Sequence, residues 1–143
     1  MTLEHVKAEL DFHFKHIDAI LPIIKAYLPL SVVDFTDVEK VTTIDSFVLR
    51  FAKIQDKMGD KLFPTVLAEV GEYKSNMSLL DVLHRLEKLE LIASTDLWLD
   101  FRKLRNSLTH EYPNNRAEIV QAIGLSITAY QTMKDIYTSM TMK

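Results

Sequence analysis

The sequence predicts an all-α fold, and three observations carry that reading. Apolar residues recur at threes and fours along most of the chain, the spacing of one helical face. β-branched residues do not fall into alternating runs, so no stretch reads as a half-buried strand. Only three glycines occur in 143 residues, which leaves long uninterrupted helical segments. The connections between those segments are short, which favours antiparallel neighbours and hence an up-and-down bundle of four or five helices. A hydrophobic fraction of 48% over this length suits one domain, residues 1–143, with a core of its own.

The first helix is expected from about Thr2 to Tyr27, burying Leu3, Val6, Leu10, Phe14, Ile17, Leu21 and Ile24; Pro22 and Pro29 leave its last turns open. Residues Leu30 to Phe35 form a connector. Thr36 with Glu39 has the form of a capping box, opening a second helix through Val41, Ile44, Val48, Phe51 and Ile54 to Met58. Gly59 would close that helix in the left-handed conformation. Pro64 would start a short helix ending at Gly71. After a polar connector, Ser78 and Asp81 cap a helix carrying Leu79, Val82, Leu83, Leu86 and Leu89. Ser94, Thr95 and Asp96 offer cap oxygens for the next helix, whose stripe is Leu97, Phe101, Leu104 and Leu108. Beyond Pro113, Asn115 and Glu118 resemble another capping box. The final helix carries Ile119, Ile123, Ile127, Tyr130, Met133, Ile136 and Met140, with Gly124 marking either a close helix contact or a tolerated glycine.

Composition excludes some functions and weakens others. The chain has no cysteine, so disulfides and thiolate metal sites are out, in keeping with a reducing cytosol. No apolar run approaches membrane-spanning length, and the amphipathic, mixed-charge N-terminus does not read as a signal peptide; a cytoplasmic protein is expected. A formal net charge of −3 gives no global pull toward nucleic acid, so any phosphate binding must be local. Arg102, Lys103, Arg105 and Arg116 could supply it. His13 and His16, three apart on the first helix with Asp11 and Asp18 nearby, have a metal-compatible spacing, but one lies beside the apolar stripe and no metal is expected there. Asp45 and Arg50 read as a structural polar pair or surface residues, and no cofactor is implied.

The segment Phe101 to Pro113 holds the densest chemistry. Arg105, Asn106, His110 and Tyr112 fall in the last two turns before Pro113. Asn106 and His110, four apart, share a face, whereas Arg105 and His110, five apart, are separated by about 140° on a regular helix. An Arg/His pair therefore needs a distorted helix end or a second copy of the motif across a two-fold axis, and the second option is favoured. Such a cleft could take a proton from a ribose 2′-hydroxyl with the imidazole and hold phosphate oxygens with the guanidinium. The structural alternative pairs Arg105 with Asp100 or Glu111 and leaves His110 at the helix C-terminus, where a cation is favourable. From spacing alone that alternative weighs more, because an Arg and a His in one helix are common.

A resemblance shifts the balance. Arg105-Asn106-Ser107-Leu108-Thr109-His110-Glu111-Tyr112 resembles the signature of the HEPN superfamily, an Arg followed by Asn and then a His after four intervening residues. The Tyr two positions beyond the His, and Leu86 to Ile92 leading into a Trp98-containing helix, resemble its HepT-like toxin branch. Glu90 departs from the small turn residue expected there. The resemblance implies a bundle that forms a homodimer through the motif helices and acts as a metal-independent ribonuclease on RNA. Arg105 and His110 would be catalytic, with Asn106 in support. It also implies a minimal nucleotidyltransferase antitoxin that silences the toxin by adenylylating Tyr112. Two other readings stay open: a non-catalytic HEPN module that binds nucleotide or serves as accessory subunit of a nucleotidyltransferase, and a helical antitoxin or adaptor gripping a partner helix.

Overall fold

The computed structural model describes residues 2–111 and 116–142, with Glu111 described by its backbone alone. Among them the chain is helical, with no strand. The helices are α1 (Leu3–Ala26), α2 (Val38–Lys57), α3 (Phe63–Glu69), α4 (Leu79–Lys88), α5 (Thr95–Glu111) and α6 (Arg116–Thr141). Because α2 and α3 run on through a π turn, five helical rods pack as an all-α bundle.

Apolar spacing decides which faces turn inward. Val6, Leu10, Phe14, Ile17 and Ile24 of α1 are buried, with Leu3 and Leu21 packed at the edge. They meet Ile44, Phe47, Phe51 and Ile54 of α2, and Ile119, Ile123, Tyr130 and Met133 of α6, in one contiguous core. Polar pairs fix the directions. Glu9 pairs with Lys57, His13 meets Arg50 and His16 meets Ser46, so α1 and α2 run antiparallel. On the other side, the Tyr130 hydroxyl donates to Asp18 (2.7 Å) and the Tyr137 hydroxyl to Asp11 (2.5 Å), which sets α6 antiparallel to α1.

Several expectations are corrected. The helix at Pro64 is not a fresh start. Met58–Leu62 form a π turn whose wider ring lets the chain pass Pro64, which would otherwise crowd the carbonyl four residues earlier, without breaking the rod. Gly59 is therefore helical, and Gly71 (φ 75°) is the glycine that needs left-handed backbone. At that end the Glu72 N–H reaches the Leu67 carbonyl and the Gly71 N–H reaches that of Ala68, closing α3 as a Schellman motif. The cap of α2 is Asp37, whose carboxylate accepts from the N–H groups of Glu39 and Lys40; Thr36 instead ends a short 3₁₀ turn, Val32–Thr36. Leu97 is partly exposed, and Trp98 occupies the buried position one residue on, edge-to-face with Phe63 and Phe101. Of the two readings of Gly124 the tolerated glycine holds, since a Cβ there would meet nothing within 4 Å.

Other local readings hold. Ser78 and Asp81 form the capping box that opens α4. The Ser94 hydroxyl accepts from the Leu97 N–H at the start of α5. Glu90 lies at φ 61°, in the place where a helix end usually has glycine. The Leu91 N–H reaches the Leu86 carbonyl and the Glu90 N–H that of Glu87, so a glutamate sits at the left-handed position of a second Schellman closure. The expected Asn115 cap lies outside the described residues.

Candidate functional site

Helix α5 is oriented by its inner side, where Trp98, Phe101 and Leu108 are buried. At 100° per residue, Arg105 lies about 40° from Phe101, close to the packed side, whereas His110 lies about 180° from it. The observed environments follow that geometry. Arg105 is half-buried and borders a groove between α2 and α5, also lined by Val48, Leu49, Ala52, Asp56, Leu108 and Thr109. His110 and Asn106 are exposed and do not line the groove.

The Arg105 guanidinium has a defined partner far away in sequence. Nη2 donates to Asp56 Oδ2 of α2 at 2.7 Å, across 49 residues of chain. Nη1 reaches toward the Asn106 amide oxygen at 3.5 Å, the outer limit of a hydrogen bond. Arg105 Nε is buried with no partner in the described structure. The Thr109 hydroxyl donates back to the Arg105 carbonyl, tightening this turn of α5. One chain thus brings Arg105, Asp56 and Thr109 together and leaves His110 with Asn106 on another face.

The remaining candidates are dispersed. Arg102 and Lys103 are exposed on α5. Arg116, at the start of α6, stacks its guanidinium over Phe35 at 4.8 Å from the ring centroid. Tyr112 lies outside the described residues.

The histidines of α1 have structural partners. His13 Nδ1 is 3.0 Å from Arg50 Nη1, so the guanidinium donates and the imidazole accepts, which requires neutral His13. Burial, and then the nearby Arg50, Lys53 and Lys57 cations, hold its pKa below the ordinary histidine value. His16 Nε2 meets the Ser46 hydroxyl at 2.9 Å. Asp11 and Asp18 serve Tyr137 and Tyr130 instead, and burial followed by those carboxylates raises both phenol pKa values. Among the described residues, no three His, Asp or Glu side chains converge as a metal site. Arg50 packs over the Phe12 ring while it bonds His13.

Sequence reasoning missed Asp56. It lies on the exposed face of α2, with no local pattern to mark it; only the packing of α5 against α2 brings it to Arg105. No family model, no curated protein and no solved structure matches this chain. Among the described residues no helix is long and apolar enough to cross a membrane.

Proposed function

We propose that the chain is a metal-independent RNA endonuclease, a HEPN-type toxin whose active site is completed by a second copy of itself. The observation that carries this reading is the division of the motif in a single chain. Arg105 lies in the α2–α5 groove, and His110 points the other way from the same two turns of helix. A two-fold axis beside the end of α5 would set one copy's His110 against the other's Arg105, supplying the pair that one copy lacks.

The chemistry then runs through groups of the chain itself. Neutral His110 takes the proton from a ribose 2′-hydroxyl, and the oxygen attacks the adjacent phosphorus. Arg105 donates to the phosphate oxygens as charge builds on them, and the bond to the 5′-oxygen breaks; that oxygen takes a proton from water and leaves as a 5′-hydroxyl, and a 2′,3′-cyclic phosphate remains on the other fragment. Asn106, four residues before His110, orients the imidazole. Arg102, Lys103 and Arg116 serve as phosphate contacts around this centre.

Regulation follows from the same family resemblance. A partner nucleotidyltransferase antitoxin would add adenylyl groups to Tyr112, bringing negative charge and bulk to the cationic cleft and competing with RNA for Arg105.

Cleavage of mixed RNA in excess chelator tests this, comparing wild type with Arg105→Ala and His110→Ala. Cyclic phosphate ends from wild type alone support the reading. Intact RNA from a protein whose mass excludes modification of Tyr112 overturns it.

One observation favours a second reading. The 2.7 Å pair between Arg105 and Asp56 occupies the guanidinium in the way a structural arginine is occupied. In that reading the chain is a non-catalytic HEPN module that holds nucleotide phosphate or serves a nucleotidyltransferase. Tight nucleotide binding without RNA cleavage would identify it.

A further inference from the structure

We infer that the exposed face of α2 binds a second copy of this chain in antiparallel fashion, with the two-fold axis at Leu49 and each copy's Asp45 meeting the other's Lys53. The inference rests on the composite-site reading and names the surface that holds its two copies together. Thr42, Asp45, Leu49, Lys53 and Asp56, three or four residues apart, form an exposed stripe along α2. Leu49 stands at its centre, 53% exposed although it is a large apolar residue. Beside it the α2–α5 groove has Val48, Ala52 and Leu108 as apolar lining, and its charged groups balance, Asp45 and Asp56 against Lys53 and Arg105.

Balanced charge suits a surface that faces its own copy. In a two-fold contact residue i meets j, and j meets i. When two antiparallel helices cross at Leu49, the residue four before it faces the residue four after it. Those residues are Asp45 and Lys53, so both symmetric contacts join opposite charges. Each lies about 6 Å from Leu49 along the helix, at 1.5 Å per residue. The other registers of the stripe are opposed by charge. An axis at Asp45, Lys53 or Asp56 sets a charge against itself, and an axis at Thr42 sets Asp45 against Glu39. Lys53 forms no ion pair among the described residues. Asp45 has an interaction within its own chain, and a carboxylate offers about four acceptor positions, enough to take a lysine as well.

The axis falls beside the motif. Leu49 lines the same groove as Arg105 and Thr109, so the pairing of α2 with its copy brings two such grooves together around one axis. A partner of unrelated sequence would have no need of a stripe that complements itself about Leu49.

The test is self-association by sedimentation velocity, with folding of each variant checked by circular dichroism. Asp45→Lys and Lys53→Glu each turn two attractive contacts into repulsive ones. Either change should weaken the wild-type dimer by about a hundredfold, at about tenfold per contact. Mixing the two variants should restore a dimer, because one chain then carries two lysines on its stripe and the other two carboxylates. A second measurement uses the absence of cysteine from the chain. Helices packed about 8–10 Å apart bring facing Cα atoms near the roughly 4.4–6.8 Å that a disulfide spans. Leu49→Cys, on the axis, should therefore link to its own copy under mild oxidation, while Ala93→Cys, exposed at the α4–α5 turn, should not. A wild type that stays monomeric at tens of micromolar, as order of magnitude for a weak dimer, overturns the inference and leaves the stripe to a different partner. A dimer indifferent to both charge reversals overturns it too, as does Leu49→Cys linking no faster than Ala93→Cys. RNA cleavage is read separately. A dimer that responds as expected but cuts nothing keeps the surface and loses the ribonuclease reading. Cleavage by a wild-type dimer that ignores both reversals does the opposite.

Discussion

Replacing Asp56 by asparagine separates masking of Arg105 from positioning of it. The carboxylate and guanidinium are 2.7 Å apart, with side chains 48% and 23% exposed, so water reaches the pair. A pair this accessible contributes about 0.2–1 kcal/mol to folding. An asparagine keeps an amide oxygen that can accept from Arg105, so the guanidinium stays in place and the melting temperature should fall by no more than about 4 °C. The larger effect is on an incoming phosphate. An RNA phosphate docked on Arg105 would sit beside the Asp56 carboxylate, and two like charges about 4 Å apart in water-like surroundings repel by about 1 kcal/mol. Removing that charge should tighten binding of an uncleavable RNA about fivefold, at roughly 1.4 kcal/mol per tenfold. Fluorescence anisotropy and thermal unfolding on the same samples check both numbers. Weaker RNA binding by Asp56→Asn, at an unchanged melting temperature, would refute the masking argument and give Asp56 a positive role.

Further predictions concern the scaffold. His13 has a folded-state pKa below the unfolded value of 6.5, so the unfolded chain takes up the proton first and stability should fall as pH drops from 6.5 toward the folded value. His13→Gln, which keeps an acceptor for Arg50, should remove that part of the loss in urea titrations above and below this window. Tyr130→Phe removes the hydroxyl donor to Asp18 and to the Phe14 carbonyl while Asp18 keeps Lys134, and should cost about 0.5–1.5 kcal/mol by denaturant unfolding. Two backbone substitutions should stabilise the fold in the same assay: Glu90→Gly by about 1 kcal/mol, because φ is 61° there, and Gly124→Ala by about 0.5–1 kcal/mol, because the added methyl meets open space.

Much of the fold was legible because the relevant physics is local. The stripes of α1 and α6 follow from apolar spacing, and Ser78 with Asp81 announces the start of α4 within four residues. Pro64 misled because proline and glycine mark helix ends in most settings, while a π turn can carry a rod past a proline. Trp98 displaced Leu97 from the core because both positions fall within a wide apolar face, and contact with Phe63, distant in sequence, decides between them. The candidate site shows the same limit. The angular separation of Arg105 and His110 could be computed from five residues of spacing, and their separate environments agree with it. The Asp56 partner could not, since it depends on how α2 lies against α5.

The composite site is tested most directly by mixing two inactive subunits. Arg105→Ala and His110→Ala chains, refolded together and assayed for metal-free RNA cleavage in excess chelator, would form mixed dimers with one intact Arg105 and one intact His110. The account predicts that the mixture cuts RNA to cyclic phosphate ends while each variant alone does not. Wild type that cuts, beside a mixture as inert as its two components, would contradict it.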